Sequence, residues 1–411
     1  MIIGKRIISL VTVAVIVVCM SGYIRLIPEL LDMHKIIPVA RVEDGVDDSE
    51  DILITTGENR PQSFLALKSR AEKGFNEVAF KYSFIEVHGF VQKVLGRRLI
   101  IGASQRETVK LNNGHLVRVR RSPGSNIENN AYNTVELHEY LLERNIEFLY
   151  VNAPHALCML DNQLPEGFVD YINSDASIFL SVLNQNNVPN VDLREVLHTY
   201  DLDHYSLFFI TDHHWTPEAG LWASGYVMNQ YFPQFLRDDV DVFDTSNYNF
   251  TVEQNMFLGS CGRSVGRVYG GIDDISIITP KFISELHVVS PFPGVEKSGT
   301  FMETCIADIT NDLYNVSQYD QVYVGGNPGV RIYNADGNGK KMLVIGCSFA
   351  RVFVPFLGLN FSETFLYDQR YVSGSAVEHI AKFQPDIVIV FINSEYADNS
   401  DLYDFGITRQ P

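Results

Sequence analysis

The feature that most restricts the fold of this chain is a repeated alternation of short, mostly apolar runs with longer helical patterns. The runs are four to six residues long, which is typical of strands that are buried on both faces of a sheet. They occupy residues 146–151, 188–193, 205–210, 342–345, 363–367 and 387–392. Because helical patterns separate them, the sequence predicts an α/β domain with a mainly parallel sheet.

Helix starts can be identified at two places. The Thr-Pro-Glu sequence at 216–218 supplies an N-cap, a proline at the first helical position and an acid in the first turn, so a helix is predicted from here to about Phe232. Asn133 and Glu136 have the spacing of a capping box, which predicts a helix that runs through Arg144.

One region interrupts the alternation. Residues 237–340 are rich in Gly, Asp, Tyr and Asn and contain short β-type runs, so a β-rich insertion in the domain is predicted. Within it, residues 257–274 (FLGSCGRSVGRVYGGIDD) are glycine-rich but lack the spacing of a phosphate-binding loop. We therefore do not predict a nucleotide site there.

The N-terminus resembles a membrane anchor. Lys5 and Arg6 precede an uncharged run of eighteen residues, 7–24, and Arg25 follows it. As a helix this run would be about 27 Å long, close to the thickness of the hydrocarbon core. The positive charges before it predict that the rest of the chain lies outside the cytoplasmic membrane. A cleaved signal peptide is the alternative, in which case the protein would be secreted.

These patterns divide the chain into three parts. Residues 1–25 are the predicted anchor or signal segment, and residues 26–61 are a linker that contains six carboxylates between Glu43 and Asp51. Residues 62–411 are the predicted α/β domain with its insertion.

Charge and cysteine content exclude several classes of protein. The chain has 32 Lys and Arg against 50 Asp and Glu, a net charge of −18, which disfavours a nucleic-acid partner. Arg118 and Arg120 alternate with valines, which indicates the solvated face of an edge strand rather than a binding patch. Five cysteines without a C-x-x-C motif predict neither a disulfide scaffold nor a structural zinc site, and no cofactor is predicted.

The first motif with catalytic potential is Asp212-His213-His214-Trp215-Thr216, placed between a predicted strand and a predicted helix. Catalytic groups in open parallel sheets lie beyond the carboxyl ends of strands. A carboxylate two residues before an imidazole can orient it and stabilise its charged form, as a general base requires.

The second motif is Gly346-Cys347-Ser348-Phe349, which follows the apolar run 342–345. The glycine allows a sharp turn that exposes the serine at the edge of the sheet, and a nearby base would make that serine a nucleophile. Together with an Asp-x-His motif at the same edge, this arrangement indicates acyl transfer.

These two blocks resemble the DHHW proteins and the SGNH-type domains of the alginate O-acetylation proteins. The likeness extends from about Phe64 to the C-terminus. It implies a flavodoxin-like, SGNH-hydrolase-type α/β core in which Asp-x-His precedes the serine. Carried over by position, it implies that Ser348 is the nucleophile, His214 the general base and Asp212 the carboxylate that orients it.

The chain departs from the family pattern at one position. The family block usually reads G-D-S, whereas Cys347 stands before Ser348 here. We prefer Ser348 as the nucleophile because it follows the turn that exposes a side chain. Cys347 as nucleophile, and a site that only binds carbohydrate, remain alternatives.

Further candidates could bind the substrate or stabilise an oxyanion. The backbone N–H of Ser348 is the natural first oxyanion donor, and Asn152 and Arg351 are candidates for the second. Arg370 and Tyr371, after another predicted strand, are candidates for the substrate groove or, equally, a packing pair.

The hypothesis from the sequence is a membrane-anchored, extracytoplasmic serine esterase or O-acetyltransferase that modifies a cell-surface polysaccharide of the bacterial envelope through an acyl-serine. A membrane-bound acyltransferase is a possible acyl-donor partner. One alternative is a non-catalytic carbohydrate-binding or polysaccharide-assembly protein. A less favoured one is a metal-dependent deacetylase with Asp212, His213 and His214 as ligands and Asp203 or His204 beside them.

Overall fold

The computed structural model describes residues 81–102, 107–290, 294–324 and 328–407, and the structural statements below concern this part of the chain. The predicted anchor and linker lie outside it. No helix within these ranges is long and apolar enough to cross a bilayer. Residues from His88 onward form one compact unit.

The centre of the fold is a mixed sheet of eight described strands. Their order across the sheet is β5-β4-β13-β11-β12-β10-β8-β9. The first five of these strands are parallel, and the last three add to them in antiparallel fashion. The described strands are β1 Leu99–Ile101, β2 Glu107–Lys110, β3 Leu116–Val117, β4 Glu147–Ala153, β5 Asn190–Asp192, β6 Tyr248–Phe257, β7 Asp273–Pro280, β8 Glu285–Ser290, β9 Val295–Thr300, β10 Gly329–Asn334, β11 Lys341–Gly346, β12 Glu363–Tyr367 and β13 Ile387–Asn393.

Helices cover the sheet and connect its strands. The described α-helices are α1 Lys81–Val94, α2 Ile127–Leu142, α3 Ile172–Gln185, α4 Leu193–Thr199, α5 Pro217–Tyr231, α6 Ser260–Val265, α7 Arg267–Gly270, α8 Phe301–Cys305, α9 Gln318–Val322, α10 Val354–Gly358 and α11 Ala376–Phe383. Short 3₁₀ turns lie at His204–Leu207, Pro233–Phe235, Thr245–Asn247, Ser348–Val352, Ser394–Tyr396 and Ser400–Leu402.

The predicted α/β class is confirmed, and the sheet is mixed rather than uniformly parallel. Its central strand β13 is buried along its whole length, which explains why its sequence is a continuous apolar run. Strand β12 coincides with the predicted run at 363–367. The antiparallel half was not predicted, because local sequence patterns do not reveal which distant strands pair.

Residues 237–340 contribute β6 to β10. Strands β6 and β7 pair with each other in a separate antiparallel sheet, whereas β8, β9 and β10 extend the main sheet beyond β12.

Two local predictions were wrong. Residues 205–210 were predicted to be a buried strand, but His204–Leu207 form a 3₁₀ turn, and Asp203 accepts a hydrogen bond from the backbone N–H of Tyr205 at 3.2 Å. Phe208 and Phe209, which follow this turn, are buried. The run is therefore apolar because its side chains pack in the core, and not because it forms a strand. Helix α2 begins at Ile127, which places Asn133 inside the helix rather than at its cap.

The parallel half of the sheet has a functional consequence. Strands β4, β13, β11 and β12 all end at the same edge, because their registers are parallel. The residues that follow them are therefore brought together there. Ser348 follows β11, Glu395 follows β13, and Arg370 follows β12.

Candidate active site

A continuous series of hydrogen bonds joins Asp212, His214 and Ser348. The Nδ1 atom of His214 lies 2.8 Å from Oδ1 of Asp212, and its Nε2 atom lies 2.7 Å from Oγ of Ser348. Asp212 and His214 are buried, and Ser348 is partly exposed. Since a carboxylate only accepts hydrogen bonds, Nδ1 carries the proton and Nε2 is free to accept the serine proton.

The loop with Asp212 and His214 is closed at its base by backbone contacts. Phe208 and Trp215 form an isolated antiparallel bridge, and the N–H of Thr216 donates to the carbonyl of Leu207 at 2.8 Å. The indole N–H of Trp215 donates to the carbonyl of Phe349 at 3.1 Å, which ties this loop directly to the serine segment. The predicted helix start is confirmed, because α5 begins at Pro217 with Thr216 as its N-cap.

Ser348 begins a 3₁₀ turn immediately beyond β11. Gly346 packs closely at this turn, and a Cβ atom there would lie 2.9 Å from Cβ of Ala350. The small residue lets the chain turn toward the edge of the sheet. Among the described backbone hydrogen bonds outside helices and strands, none is donated by the N–H of Ser348. That group could therefore stabilise an oxyanion.

The second oxygen of Asp212 accepts a hydrogen bond from the glycine-rich segment 257–274, for which the sequence predicts no role. The backbone N–H of Ser260 donates to Oδ2 of Asp212 at 2.6 Å. Gly259 precedes it, and a Cβ there would lie 2.3 Å from Cβ of Asp212. The glycine thus allows this close approach of two backbones. The Ser260 hydroxyl lies 3.0 Å from Nδ1 of His213 and accepts a hydrogen bond from Arg118 at 3.1 Å.

Asp273, at the start of β7, fixes the residue before Asp212. It accepts hydrogen bonds from the backbone N–H groups of Ile210 and Thr211, each at 2.8 Å, and from the Thr211 hydroxyl. The carboxyl is buried, and burial raises its pKa, against the effect of these hydrogen bonds. Asp273 and Ser260 both belong to the glycine-rich segment 257–274, which therefore positions the Asp-His loop.

Tyr319, on α9, supports the base from the other side. Its ring stacks on His214 with a centroid distance of 4.1 Å and an interplanar angle of 15°. Its hydroxyl donates to the backbone carbonyl of Ser348 at 3.3 Å. The sequence offered no signal for this residue, because its contact depends on long-range packing.

The electrostatics of the site fit a neutral base and an ionised orienting acid. Burial lowers the pKa of His214 to about 3, and His213 adds to this effect against the opposing charge of Asp212. Burial alone would raise the pKa of Asp212, but His213 and His214 hold it well below its usual range. His214 is therefore neutral, as a general base must be before it accepts a proton.

Cys347 is not part of the hydrogen-bond series that joins Asp212, His214 and Ser348. Its side chain is 1% exposed, and burial raises the pKa of its thiol to about 11. A thiol nucleophile needs a lowered pKa and access to substrate, so the geometry favours Ser348 over Cys347. All four described cysteines are free and buried.

Asn152 was predicted as a candidate oxyanion donor, but its side chain forms hydrogen bonds with residues other than Ser348. Its side-chain amide donates to Asp192 at 2.9 Å, and its carbonyl accepts from Ser394 at 3.1 Å. It lies on β4, which β13 separates from the serine strand, and none of its described hydrogen bonds reaches Ser348. Its contacts tie together the ends of β4, β5 and β13.

The other candidates lie at the same edge as the serine, on neighbouring segments. Arg351, within the 3₁₀ turn, forms an ion pair with Asp320. Arg370 binds both oxygens of Asp368, at 2.9 and 2.7 Å, and its guanidinium lies 5.2 Å from the centre of the Tyr371 ring. Tyr371 is 60% exposed and is available to a substrate.

Asp212, His213 and His214 are the one group of described residues whose donor atoms lie close enough to hold a metal ion, within 4.8 Å of one another. Both Nδ1 atoms lie 2.8 Å from the same carboxylate oxygen, and that of His214 donates a hydrogen bond to it. His204, suggested as a further ligand, stacks on Phe208 and is not part of the group.

Residues 115–252 match a family model described as the SGNH hydrolase-like domain of the acetyltransferase AlgX. No curated protein matches the sequence. The chain is similar to the solved structure of PatB1 from Bacillus cereus, with 22% identity and a TM-score of 0.60 over 72% of this chain and 98% of that one. It is also similar to a DHHW family protein from Eubacterium siraeum, with 18% identity and a TM-score of 0.57 over 74% of this chain and 96% of that one.

These matches confirm the resemblance that the DHHW and GCSF blocks indicated. At such identities the two solved structures establish a common fold. The family match covers the segment that contains Asp212 and His214 but ends before Ser348.

Proposed function

We propose that this protein is a serine-dependent O-acetyltransferase, or an esterase, that modifies a cell-surface polysaccharide through an acyl-serine intermediate. The observation that carries the proposal is the unbroken hydrogen-bond series from Asp212 through His214 to Ser348. The match of residues 115–252 to an acetyltransferase-type SGNH domain supports the kind of reaction. The chain would act outside the cytoplasmic membrane, anchored by its N-terminal segment.

The first half-reaction forms the acyl-enzyme. Oγ of Ser348 attacks the carbonyl carbon of the acyl donor while its proton passes to Nε2 of His214. Asp212 stabilises the imidazolium, and the backbone N–H of Ser348 donates to the oxyanion. The bond to the leaving group then breaks, and that group takes the proton from His214.

The second half-reaction releases the acyl group. His214 removes a proton from an acceptor hydroxyl, whose oxygen attacks the acyl carbon, and the proton returns to Oγ of Ser348 as the ester bond to the serine breaks. A sugar hydroxyl gives transfer, and water gives hydrolysis. The same triad supports both outcomes, and exclusion of water decides between them. A membrane-bound acyltransferase could supply the acyl donor.

The test uses the full chain in detergent with p-nitrophenyl acetate. We expect release of p-nitrophenolate in wild type, and a loss of about a thousandfold or more in Ser348→Ala and His214→Ala. Cys347→Ser is the matched control and should retain activity, because the side chain of Cys347 is buried. Mass spectrometry of the acid-quenched reaction should locate an acetyl group on Ser348.

Each other outcome favours a stated alternative. Loss of activity in Cys347→Ser, with the acetyl group on Cys347, would identify the cysteine as nucleophile. Activity that a chelator abolishes and Ser348→Ala retains would indicate metal-dependent deacetylation. A silent, folded wild type would favour a protein that only binds or assembles polysaccharide.

A further inference from the structure

A cavity of about 360 Å³ lies at the edge of the sheet that carries the triad, and the mechanism above does not use it. Its wall includes Arg118, Glu395 and Tyr396. Glu395 follows β13, whose neighbour β11 leads to Ser348. The two segments therefore emerge side by side.

Arg118, which also lines the cavity, links it to the triad. Its guanidinium donates to the Ser260 hydroxyl at 3.1 Å, and the backbone N–H of Ser260 binds Asp212. The sequence pattern predicted a solvated strand face for Arg118, which was wrong. The residue lies just beyond β3, and its side chain is half-buried.

The cavity contains opposite charges that do not pair. Among the described residues, neither Arg118 nor Glu395 takes part in an ion pair, and Oε2 of Glu395 is buried without a hydrogen-bond partner. Burial would raise the pKa of Glu395, but His213, His155 and Arg118 hold it below its usual range. Glu395 is therefore a carboxylate, which can accept hydrogen bonds from a ligand, and Arg118 is a cation in the same cavity, which can donate them.

This arrangement selects the chemistry of a ligand. Burial of a carboxylate that lacks hydrogen-bond partners is unfavourable, and a ligand that donates a hydrogen bond to the Glu395 carboxylate would offset part of that cost. Two adjacent hydroxyl groups can do so, one donating to Glu395 and the other accepting from Arg118. A ligand carboxylate could accept from Arg118 but would be repelled by Glu395.

Three further arginines near this edge already form ion pairs. Arg120 pairs with Asp175 at 2.9 Å and Arg370 with Asp368 at 2.7 Å. Arg351 pairs with Asp320. Among the described residues of the cavity wall, Arg118 is therefore the cation without an ion pair, and Glu395 and Asp398 are the carboxylates without one, which disfavours a polyanion.

We propose that the cavity between Arg118 and Glu395 is the acceptor subsite, that it binds adjacent hydroxyls of a neutral saccharide, and that it selects against uronate polymers. The proposal rests on the proposed function, since it assigns the acceptor of that reaction. Glu395 and Asp398 both line the cavity and repel a carboxylate, and Glu395 also accepts a hydrogen bond from a hydroxyl.

The test compares two acceptors that differ at C6, cellotetraose and its C6-oxidised tetraglucuronate. The full chain is incubated with p-nitrophenyl acetate and each acceptor, and the acetylated sugar is measured by mass spectrometry. We expect wild type to prefer cellotetraose by at least about tenfold in kcat/KM, and Glu395→Gln to reduce that preference about tenfold. Glu285→Gln, an exposed glutamate on β8, is the matched control and should keep the wild-type preference.

A second readout does not depend on catalysis. Calorimetric titration of Ser348→Ala with cellotetraose should show binding, and the added Glu395→Gln change should weaken it about tenfold. An unchanged preference in Glu395→Gln, a wild-type preference for the uronate, or no binding of cellotetraose to Ser348→Ala would overturn the subsite. Absence of Ser348-dependent p-nitrophenolate release would instead count against the proposed function, and the titration would still decide the subsite.

Discussion

At the scale of single residues, one oxygen atom organises much of the candidate site. Oδ1 of Asp212 lies 2.8 Å from Nδ1 of both His213 and His214, and it also accepts the backbone N–H of His214 at 3.1 Å. These contacts fix the direction of the His214 ring, and with it the position of Nε2 relative to Ser348. A small displacement of Asp212 would therefore move the His214 ring and change the position of Nε2 relative to Ser348, because the groups between them are rigid and buried.

A buried histidine outside the triad gives a testable pH dependence. His204 is 5% exposed and stacks on Phe208 at 4.9 Å. Burial lowers the pKa of His204 to about 4. Its unfolded value is about 6.5. Between these values the unfolded chain binds more protons, so acidification should reduce the free energy of unfolding by up to about 1.4 kcal/mol per pH unit from this group.

The measurement is thermal unfolding of wild type and His204→Phe. We expect the Tm of wild type to fall between pH 7 and pH 5, and the fall to be smaller in His204→Phe because that variant has no proton to bind at this position. Between pH 8 and pH 7 the two proteins should behave alike, since the unfolded histidine is mostly neutral there. Equal falls between pH 7 and pH 5 would contradict the assignment.

The sequence predicted the residues of the Asp-His-Ser series but not those that hold them. Asp212, His214 and Ser348 stand in recognisable local patterns beside a capped helix and an apolar strand. Ser260, Asp273 and Tyr319 act through contacts that link positions 29 to 62 residues apart in the chain. No local pattern encodes such contacts, although the glycines of segment 257–274 did mark a place where backbones come close.

At the scale of elements, the segment between β6 and β7 has a defined role. It holds the Asp-His loop from one side, with Ser260 at the start of α6 and Asp273 at the start of β7. Residues 205–210 show the reverse case, in which an apolar pattern predicted a strand and the chain instead turns. An apolar pattern in the sequence indicates which residues are buried. It does not determine the backbone conformation, because several conformations can bury the same residues.

Gly259→Ala tests this role of the segment. The added Cβ would lie 2.3 Å from Cβ of Asp212 and 2.5 Å from the carbonyl oxygen of Thr211, and neither atom can move without the loop. We expect a loss of at least about a hundredfold in p-nitrophenyl acetate hydrolysis and about 1–3 kcal/mol in the free energy of unfolding.

Gly270→Ala, in the same segment, is the matched control. The nearest atom to its added Cβ is the terminal Cδ1 of Leu116 at 2.9 Å, which belongs to a flexible side chain and can adjust. This variant should therefore stay close to wild type in activity. If Gly259→Ala kept wild-type activity, the segment would not position Asp212.

At the scale of the whole molecule, the parallel and antiparallel halves of the sheet have different consequences. The parallel strands bring the serine, the cavity glutamate and the arginines to one edge. The antiparallel strands β10, β8 and β9 extend the sheet on the far side of β12. The chain between β9 and β10 includes α9, which places Tyr319 against His214. The insertion thus both widens the sheet and supports the base.

The N-terminal segment gives a prediction for the whole protein. An uncharged helix of eighteen residues would hold the chain in a bilayer through hydrophobic contact rather than through charge. Full-length protein should therefore remain in the membrane pellet after washes with 1 M salt and with alkaline carbonate, at about pH 11, since a chain of net charge −18 has little electrostatic attraction to anionic lipids.

A variant in which residues 2–25 are replaced by a cleavable export signal should be released in soluble form with unchanged p-nitrophenyl acetate hydrolysis. Protease added to intact cells should digest the full-length domain, because the positive residues before the apolar run predict that the domain lies outside the cytoplasmic membrane. A mature N-terminus near Gly22 in the culture medium would show instead that the segment is a signal peptide.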